Sequence, residues 1–166
     1  MERKSLIKMG NVFSGRYIKK EYLEENGKIL YLSYKHLIND SLNINLRTSQ
    51  FINYVEKQNQ KFLSKDGDIV ISRFMENRII YSFNKNDPKC FINDKWFLIR
   101  SENKNYLNKY LKIKKFRKKF ETDCHCFMVG NSIPYIKVNE FMEIEILIVP
   151  EKELDTLYEK QRYIVS

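Results

Sequence analysis

Arginine and lysine residues of this chain lie beside tyrosine, asparagine and serine near the ends of several predicted strands. Lysine and arginine neutralise phosphate groups, and arginine also forms paired hydrogen bonds with the edge of a guanine base. Basic groups gathered at loop ends therefore indicate an anionic partner such as duplex DNA. The candidate contact residues are Arg16, Tyr17, Lys19, Lys20, Lys35, His36, Arg47, Arg73, Asn77, Arg78, Lys112, Lys115, Lys119, Asn131 and Ser132.

Arg73 and Arg78 form the most specific pair among these candidates, because they flank a short predicted loop, Met75–Asn77. Two arginines at a hairpin tip can reach guanine edges in the major groove. The first basic loop, residues 16–20, is better suited to phosphate contacts. Each residue taken alone is more often a solvated surface charge, and the clustering near loop ends is what favours contact.

The composition points the same way. The 166 residues include 30 Lys and Arg against 21 Asp and Glu, which gives a formal net charge of +9. This excess favours nucleic acid or an acidic membrane surface as partner, although a generally lysine-rich protein shows it too. With 43% hydrophobic residues, the chain can build one hydrophobic core. No stretch resembles a secretory leader or a membrane span, so we expect a cytoplasmic protein.

Sequence patterns of known catalytic sites are missing. The chain has no G-x-S-x-G elbow, phosphate-binding loop or glycine-rich dinucleotide turn, and His36 and His125 are far apart in sequence. Asp94, Glu102 and Lys104 loosely match the Asp…Glu-x-Lys pattern of a Mg²⁺-dependent nuclease. Such short patterns occur by chance in Lys- and Glu-rich chains. We therefore expect no catalysis and no cofactor, with a nuclease as the minor alternative.

The three cysteines do not form a metal-binding pattern. Cys124 and Cys126 lack the two-residue gap that lets paired ligands bind one zinc ion, and Cys90 is distant in sequence. We expect reduced, partly buried thiols.

The elements that must position the candidate residues are predicted to be mostly strands. A turn at Asp66-Gly67 precedes a β-branched run, and the following segment is close enough to be its hairpin partner. Residues 34–44 and 50–63 have mixed periodicity and are predicted to be irregular. The predicted strands are Lys8–Phe13, Ile29–Ser33, Asp68–Phe74, residues 78–83, and one or two strands in residues 89–101.

Residues 103–121 instead have the periodicity of one helix. Its predicted apolar face consists of Tyr106, Leu107, Tyr110, Leu111, Ile113 and Phe120. Lys112, Lys115 and Lys119 follow at i, i+3 and i+7 and are predicted to share the opposite face. Eight basic residues and no acidic residue lie between Lys104 and Lys119. This face is either simply solvated or directed at phosphates.

The C-terminal part of the chain begins with a predicted turn. Gly130 permits a positive φ, and Asn131 and Ser132 offer short polar groups for recognition or for closing the core. An apolar strand at Ile144–Val149 is ended by Pro150. The acidic segment after Pro150 is typical of a helix start, and its apolar spacing predicts the beginning of a coiled-coil-like helix.

Six short signatures follow one another along the chain: "NVFSGRYIKKEY", "ILYLSYKHLIND", "LSKDGDIVISR", "KYL", "GNSIPYIKVNEFMEIEILIVP" and "EKQRYI". In this order, they resemble the target recognition domain of type I restriction-modification specificity subunits. The resemblance covers nearly the whole chain, and its late signature is the most specific. Many members have a glycine where this chain has Phe74–Asn77.

The resemblance implies an α+β fold, with a single target-recognition-type domain, a twisted and mostly antiparallel sheet, and a few helices. Residues 1–150 would form the recognition domain and residues 151–166 the start of a conserved-type helix. The implied function is sequence-specific binding of double-stranded DNA, which directs a partner adenine methyltransferase subunit of a restriction complex. A second copy or half-subunit would join through the C-terminal helix.

The adenine-methylating motif of those partners is absent, because "NDPKCF" at 86–91 has one proline where the motif has two. The chain is therefore expected to be a non-catalytic module. An alternative is a protein-interaction module or inhibitor of a restriction complex, which would bind DNA weakly but a methyltransferase subunit tightly.

Overall fold

The computed structural model describes residues 2–74 and 77–165. The chain divides into two compact units, a central unit of residues 13–99 and a terminal unit of residues 1–12 and 100–166. The strands are β1 (Arg3–Ser5), β2 (Asn11–Ser14), β3 (Ile29–Tyr31), β4 (Leu37–Ile38), β5 (Ser41–Leu42), β6 (Phe51–Ile52), β7 (Ile69–Ser72), β8 (Ile80–Ser82), β9 (Cys90–Phe91), β10 (Trp96–Arg100), β11 (Met128–Val129), β12 (Tyr135–Ile136) and β13 (Glu145–Leu147).

Helices connect these strands. The α-helices are α1 (Lys104–Lys112), α2 (Lys114–Cys126), α3 (Val138–Met142) and α4 (Glu151–Val165). Short 3-10 helices occupy Leu6–Lys8, Lys20–Tyr22, Tyr34–His36 and Lys57–Phe62. No helix in the described part of the chain has the length and apolar content to cross a bilayer.

The main sheet has the strand order β2-β10-β7-β8. β7 pairs antiparallel with both β10 and β8. All four residues of β7 are buried, as expected for a β-branched run in a central strand. The tight turn before β7 is fixed by Asp68, whose carboxylate accepts a hydrogen bond from Lys65 N at 2.8 Å, and by Gly67 at φ 85°.

A smaller sheet has the order β6-β3-β9. β3 pairs antiparallel with β6 and parallel with β9. This sheet packs with the 3-10 helix at Lys57–Phe62. Trp96 and Phe91 belong to two separate hydrophobic clusters of the central unit. Both side chains are fully buried.

The terminal unit joins both chain ends. β1 pairs antiparallel with β13, with Lys4 opposite Ile146. Tyr106 of α1 bonds both the N–H and the C=O of Val149 through its hydroxyl, at 2.8 and 3.0 Å. α4 then begins directly after Pro150, whose carbonyl accepts the first helical bond from Leu154.

The predicted fold class is confirmed: the described residues form α-helices and mostly antiparallel strand pairs. The β7–β8 hairpin and its preceding turn are also confirmed. The strands are divided among several small sheets. Met75 and Glu76, in the predicted hairpin loop, lie outside the described residues.

Two predicted elements differ in the structure. The strand predicted at Lys8–Phe13 is wrong at its start, because Leu6–Lys8 forms a 3-10 turn and the strand begins at Asn11. The helix predicted at 103–121 is two helices, broken at Ile113, which has an extended ψ of 117°. The predicted apolar face is nevertheless buried. Gln161 of α4 bonds the break on both sides, accepting from Lys114 N and donating to Lys112 O at 2.7 Å each.

The segments predicted to be irregular contain short elements. Residues 34–44 form a 3-10 turn and the β4–β5 hairpin. Asn39 and Asp40 have positive φ angles of 52° and 59°, which matches the two-residue turn that suits the twist of a hairpin. Residues 50–63 contain β6 and a 3-10 helix.

Candidate nucleic-acid interface

Four chain segments of the central unit meet where β2, β3 and β7 end and β10 begins. We call this surface the strand-end edge and define it by residues 14–16, 34–35, 73–74 and 94–95. Arg73 N donates to Lys95 O at 3.0 Å, and Arg73 Nη1 donates to Ser14 Oγ at 3.1 Å. Gly15 N donates to Trp96 O at 3.0 Å. These bonds place residues distant in sequence side by side.

The hydroxyl of Tyr34 links three of these segments. It donates to Lys95 O at 2.7 Å and accepts from Phe74 N at 3.3 Å. Its ring packs edge-on against Trp96, with ring centroids 4.9 Å apart. Burial raises the pKa of Tyr34 above its ordinary value of 10.0, so the hydroxyl keeps the proton with which it donates.

Gly15 allows Arg16 to reach the edge. A Cβ at Gly15 would lie 2.0 Å from Asn93 O and 2.4 Å from Ile92 O, so no other residue fits. Arg16 N then donates to Ile92 O at 3.0 Å. The Arg16 side chain is exposed, and its position at the end of β2 is fixed by its backbone.

The rest of the first basic loop is exposed as predicted. Tyr17, Lys19 and Lys20 are all exposed. Ile18 N between them donates to Tyr31 Oη at 3.2 Å, which holds the loop to β3. Tyr17 is 61% exposed, so its ring is accessible to a partner.

Arg73 is half-buried and its guanidinium lies over the ring of Phe97, 5.3 Å from the centroid. Its contacts with Ser14 and with Phe97 hold its guanidinium in place at the edge. Asn77 is exposed.

Two of the predicted contact residues have buried side chains. His36 is 2% exposed; its Nδ1 accepts from Ser33 N at 3.0 Å and its Nε2 lies 2.9 Å from Ser49 Oγ. Arg78 is 6% exposed, and its guanidinium donates to Ser72 O inside the hairpin. Both side chains form hydrogen bonds inside the protein, as expected for polar and charged groups that are this buried.

The Nδ1 of His36 accepts from a backbone N–H, so it carries no proton, and the neutral ring donates from Nε2. Burial, and to a smaller degree the charge of Lys35, lowers the pKa of His36 below its ordinary value of 6.5. Lys35 itself is exposed and donates to Thr48 O. Arg47 is exposed in the turn before Ser49.

The other candidates belong to the terminal unit. Lys112 lies on α1, whereas Lys115 and Lys119 lie on α2, so the predicted single lysine face is wrong in its geometry. All three are exposed. Asn131 and Ser132 are exposed in the loop joining β11 to β12. This loop begins with Gly130 at the predicted positive φ, 99°.

Sequence reasoning missed Lys95 and Tyr34. Lys95 is exposed and follows the Asn93-Asp94 turn, where Asn93 Oδ1 accepts from Lys95 N at 2.9 Å. A basic residue directly before a buried strand was the available signal. The role of Tyr34 depends on contacts with residues 40 and 61 positions away, which no local pattern indicates.

The residues of the nuclease pattern lie on either side of β10, with Asp94 before the strand and Glu102 and Lys104 after it. Within the described residues, no three His, Cys, Asp or Glu side chains are grouped to hold a metal ion. Cys90 and Cys124 are buried and Cys126 is exposed. Burial raises the pKa of Cys90 to about 12.

Comparison with solved structures gives similar folds over 98% of this chain. A chain from a structure of a type I R-M system, studied for its assembly and conformational transition, has a TM-score of 0.66 at 14% identity. The S subunit of a type I restriction-modification system from M. genitalium has 0.60 at 13%. The HsdS subunit from Thermoanaerobacter tengcongensis has 0.64 at 12%.

The chain spans 37–38% of the length of these structures. No family model matches the sequence, and no curated protein matches it. At 12–14% sequence identity, the similarity shows the fold alone. The fold is like that of a type I S subunit, which confirms the fold that the sequence resemblance implied.

Proposed function

We propose that the chain binds double-stranded DNA sequence-specifically, as one target recognition domain of a type I restriction-modification specificity subunit. The observation that carries this proposal is the strand-end edge. It presents exposed Arg16, Lys35 and Lys95 on segments fixed by backbone hydrogen bonds. Base recognition requires donors carried at fixed positions, and the backbone bonds of this edge fix the position from which the Arg16 side chain extends. The S-subunit-like fold supports the same function.

The proposed contacts divide by chemistry. Arg16, Tyr17, Arg47, Arg73 and Asn77 contact base edges or the sugar-phosphate backbone beside them. The lysines contribute phosphate attraction, which depends on charge more than on orientation. They are Lys19, Lys20, Lys35, Lys95, Lys112, Lys115 and Lys119. Asn131 and Ser132 contribute short polar groups from their loop.

The proposed module acts through a partner. It is non-catalytic and directs an adenine methyltransferase subunit of a restriction complex to the bound site in the cytoplasm. Residues 1–150 carry recognition, and the helix from 151 joins the partner, a second copy or a second half-subunit. Gln161 bonds α4 to the α1–α2 break. This attachment supports a role for α4 in holding a partner at a fixed position relative to α1 and α2.

Selection from randomised duplexes, followed by a salt titration of the enriched sequence, tests this function. We expect a motif of a few base pairs and an affinity that falls steeply with salt. The double variant Arg16→Glu with Arg47→Glu should lose binding. The charge-matched control is Lys85→Glu with Lys89→Glu. These exposed lysines follow the C-terminal end of β8, at the opposite end of the β7–β8 hairpin from the strand-end edge.

Absence of any enriched sequence would contradict the proposal. An equal loss in both double variants would show binding through net charge and not through the edge. The alternative of a protein-interaction module would be favoured if no motif is enriched while the chain forms a stable complex with a type I methyltransferase subunit.

A further inference from the structure

A short turn beside the strand-end edge presents an exposed leucine. We call residues Asn45–Ser49 the Leu46 turn. The carbonyl of Asn45 accepts from Thr48 N at 3.2 Å and from Ser49 N at 3.0 Å. The Asn45 side chain accepts from Arg47 N at 3.0 Å. The backbone around Leu46 is therefore held in one conformation.

The Leu46 turn is also bonded to the 3-10 helix at Tyr34–His36. Asn43, two residues before the turn, donates from its N–H to His36 O at 2.7 Å. The buried His36 ring donates to Ser49 Oγ at 2.9 Å, and Ser49 Oγ donates to Asn45 O at 2.5 Å. Because the same 3-10 helix carries Tyr34 of the edge, the position of Leu46 is fixed relative to the edge.

Leu46 is 70% exposed, and Ile38 and Ile44, which precede it in the segment 38–46, are 53% and 37% exposed. A single exposed aliphatic side chain is common on protein surfaces. Three exposed aliphatic side chains within nine residues, on a segment held by backbone hydrogen bonds, favour a partner that contacts this segment.

The charges around this surface indicate the partner. Asp40 is the one acidic residue within residues 38–46, and residues 41–55 contain no Asp or Glu. Arg47 follows Leu46 directly, and the exposed Lys35 donates to Thr48 O in the same turn. An aliphatic tip between cations suits a polyanion with an apolar interior, which is the chemistry of stacked bases between phosphate backbones.

We propose that Leu46 inserts between two stacked base pairs of duplex DNA, with Arg47 at the adjacent phosphate. This inference rests on the proposed function and deepens it by adding recognition through DNA deformation. A fixed turn lowers the ordering cost of insertion. Pyrimidine–purine steps unstack most easily, so the bound site contains such a step at the insertion point even without a base contact there.

The test uses the duplex enriched in the selection, with 2-aminopurine substituted at successive positions. Unstacking of the probe raises its fluorescence at one step when the wild-type chain binds. Leu46→Ala loses this rise, and Leu46→Met, which keeps a long apolar side chain, retains most of it. Ile7→Ala is the matched control, since Ile7 is an exposed aliphatic residue of the terminal unit at 41% exposure.

Arg47→Ala should weaken binding to all duplexes and reduce the salt slope by about 1. Circular dichroism and thermal melting should be unchanged in Leu46→Ala, because the side chain is mostly exposed.

The outcomes separate this inference from the proposed function. Specific binding by the wild type with no fluorescence rise overturns the insertion and leaves the proposed function standing. An unchanged rise in Leu46→Ala overturns it too, and loss of methyltransferase binding in that variant would then assign the surface to a protein partner. Failure of the wild type to bind any duplex overturns both.

Discussion

The strand-end edge and the α1–α2 helices are both basic, but they hold their charges differently. At the edge, the basic residues lie on segments joined by backbone hydrogen bonds, such as Arg73 N to Lys95 O. On α2, the lysines extend from a helix surface, and part of the charge is neutralised locally. Lys119 Nζ lies 2.6 Å from Asp123 and Arg117 Nε lies 3.0 Å from Glu121.

This difference separates two tasks within the proposed function. Choosing among bases requires donors at fixed positions, whereas attraction to phosphates requires only charge at the surface. The edge is suited to the first task and the helices to the second. Variants in the two regions should therefore change different measured quantities.

The largest effect is expected from Trp96→Ala, which removes a large, fully buried side chain from the hydrophobic cluster beneath the edge. Trp96 is fully buried, packs against Tyr34 and donates from its indole to Leu32 O at 3.2 Å. The loss should lower the free energy of unfolding by about 3–5 kcal/mol. Denaturant unfolding monitored by far-UV circular dichroism measures it. A loss near zero would contradict the packing described for this core.

Arg16→Ala should have the next largest effect, on DNA binding rather than on stability. If Arg16 contacts a base edge, discrimination at one position of the enriched motif should fall by about 1–3 kcal/mol. Competition binding with single-base variants of the motif measures this. Arg16→Lys keeps the charge and should restore general affinity but not discrimination. A uniform loss at all positions would instead assign Arg16 to a phosphate.

Sequence alone predicted the elements whose signals are local. The β7–β8 hairpin follows from a β-branched run after Asp66-Gly67, and the start of α4 follows from Pro150 and its acidic neighbours. The break between α1 and α2 was not predictable from periodicity, because the apolar spacing continues through Ile113, the residue between the two helices. The bonds that bridge the break come from Gln161, 47 and 49 residues away.

The same limit applies to the candidate site. Exposure of Arg16, Tyr17 and Lys20 could be predicted from a polar loop. The burial of His36 and Arg78 could not, since each depends on a partner, Ser49 or Ser72, brought near by tertiary structure. A basic residue near a strand end has the same local sequence whether it points outward or completes a turn.

His36 provides a smaller test, through pH. Its pKa is lowered on folding, so below 6.5, its ordinary value, the unfolded chain binds more protons than the folded chain. Stability from this group is therefore complete above that pH and is lost as pH falls below it. Chemical denaturation across this range should show a steeper loss for the wild type than for His36→Gln.

The matched control for that experiment is His125→Gln, since His125 is exposed at the end of α2. This variant retains the buried His36, so the loss of stability that His36 causes at low pH should remain. The same dependence in His36→Gln as in the wild type would contradict the assignment of a neutral, buried His36.

The smallest effects are expected on α2, where Lys115 and Lys119 differ in their neighbours. Lys119 is paired with Asp123, whereas Lys115 Nζ lies 5.0 Å from the centroid of the Phe116 ring. Lys115→Ala should reduce the salt slope of DNA binding by about 1, and Lys119→Ala by less, because Asp123 already offsets its charge. Lys119→Ala should also lower the free energy of unfolding by about 0.3–0.5 kcal/mol, as expected for an exposed i,i+4 pair.

Salt titrations of both variants on the enriched duplex measure the slopes. Equal reductions would mean that the ion pair opens when DNA binds, and a change in base preference in either variant would place α2 among the residues that choose the sequence.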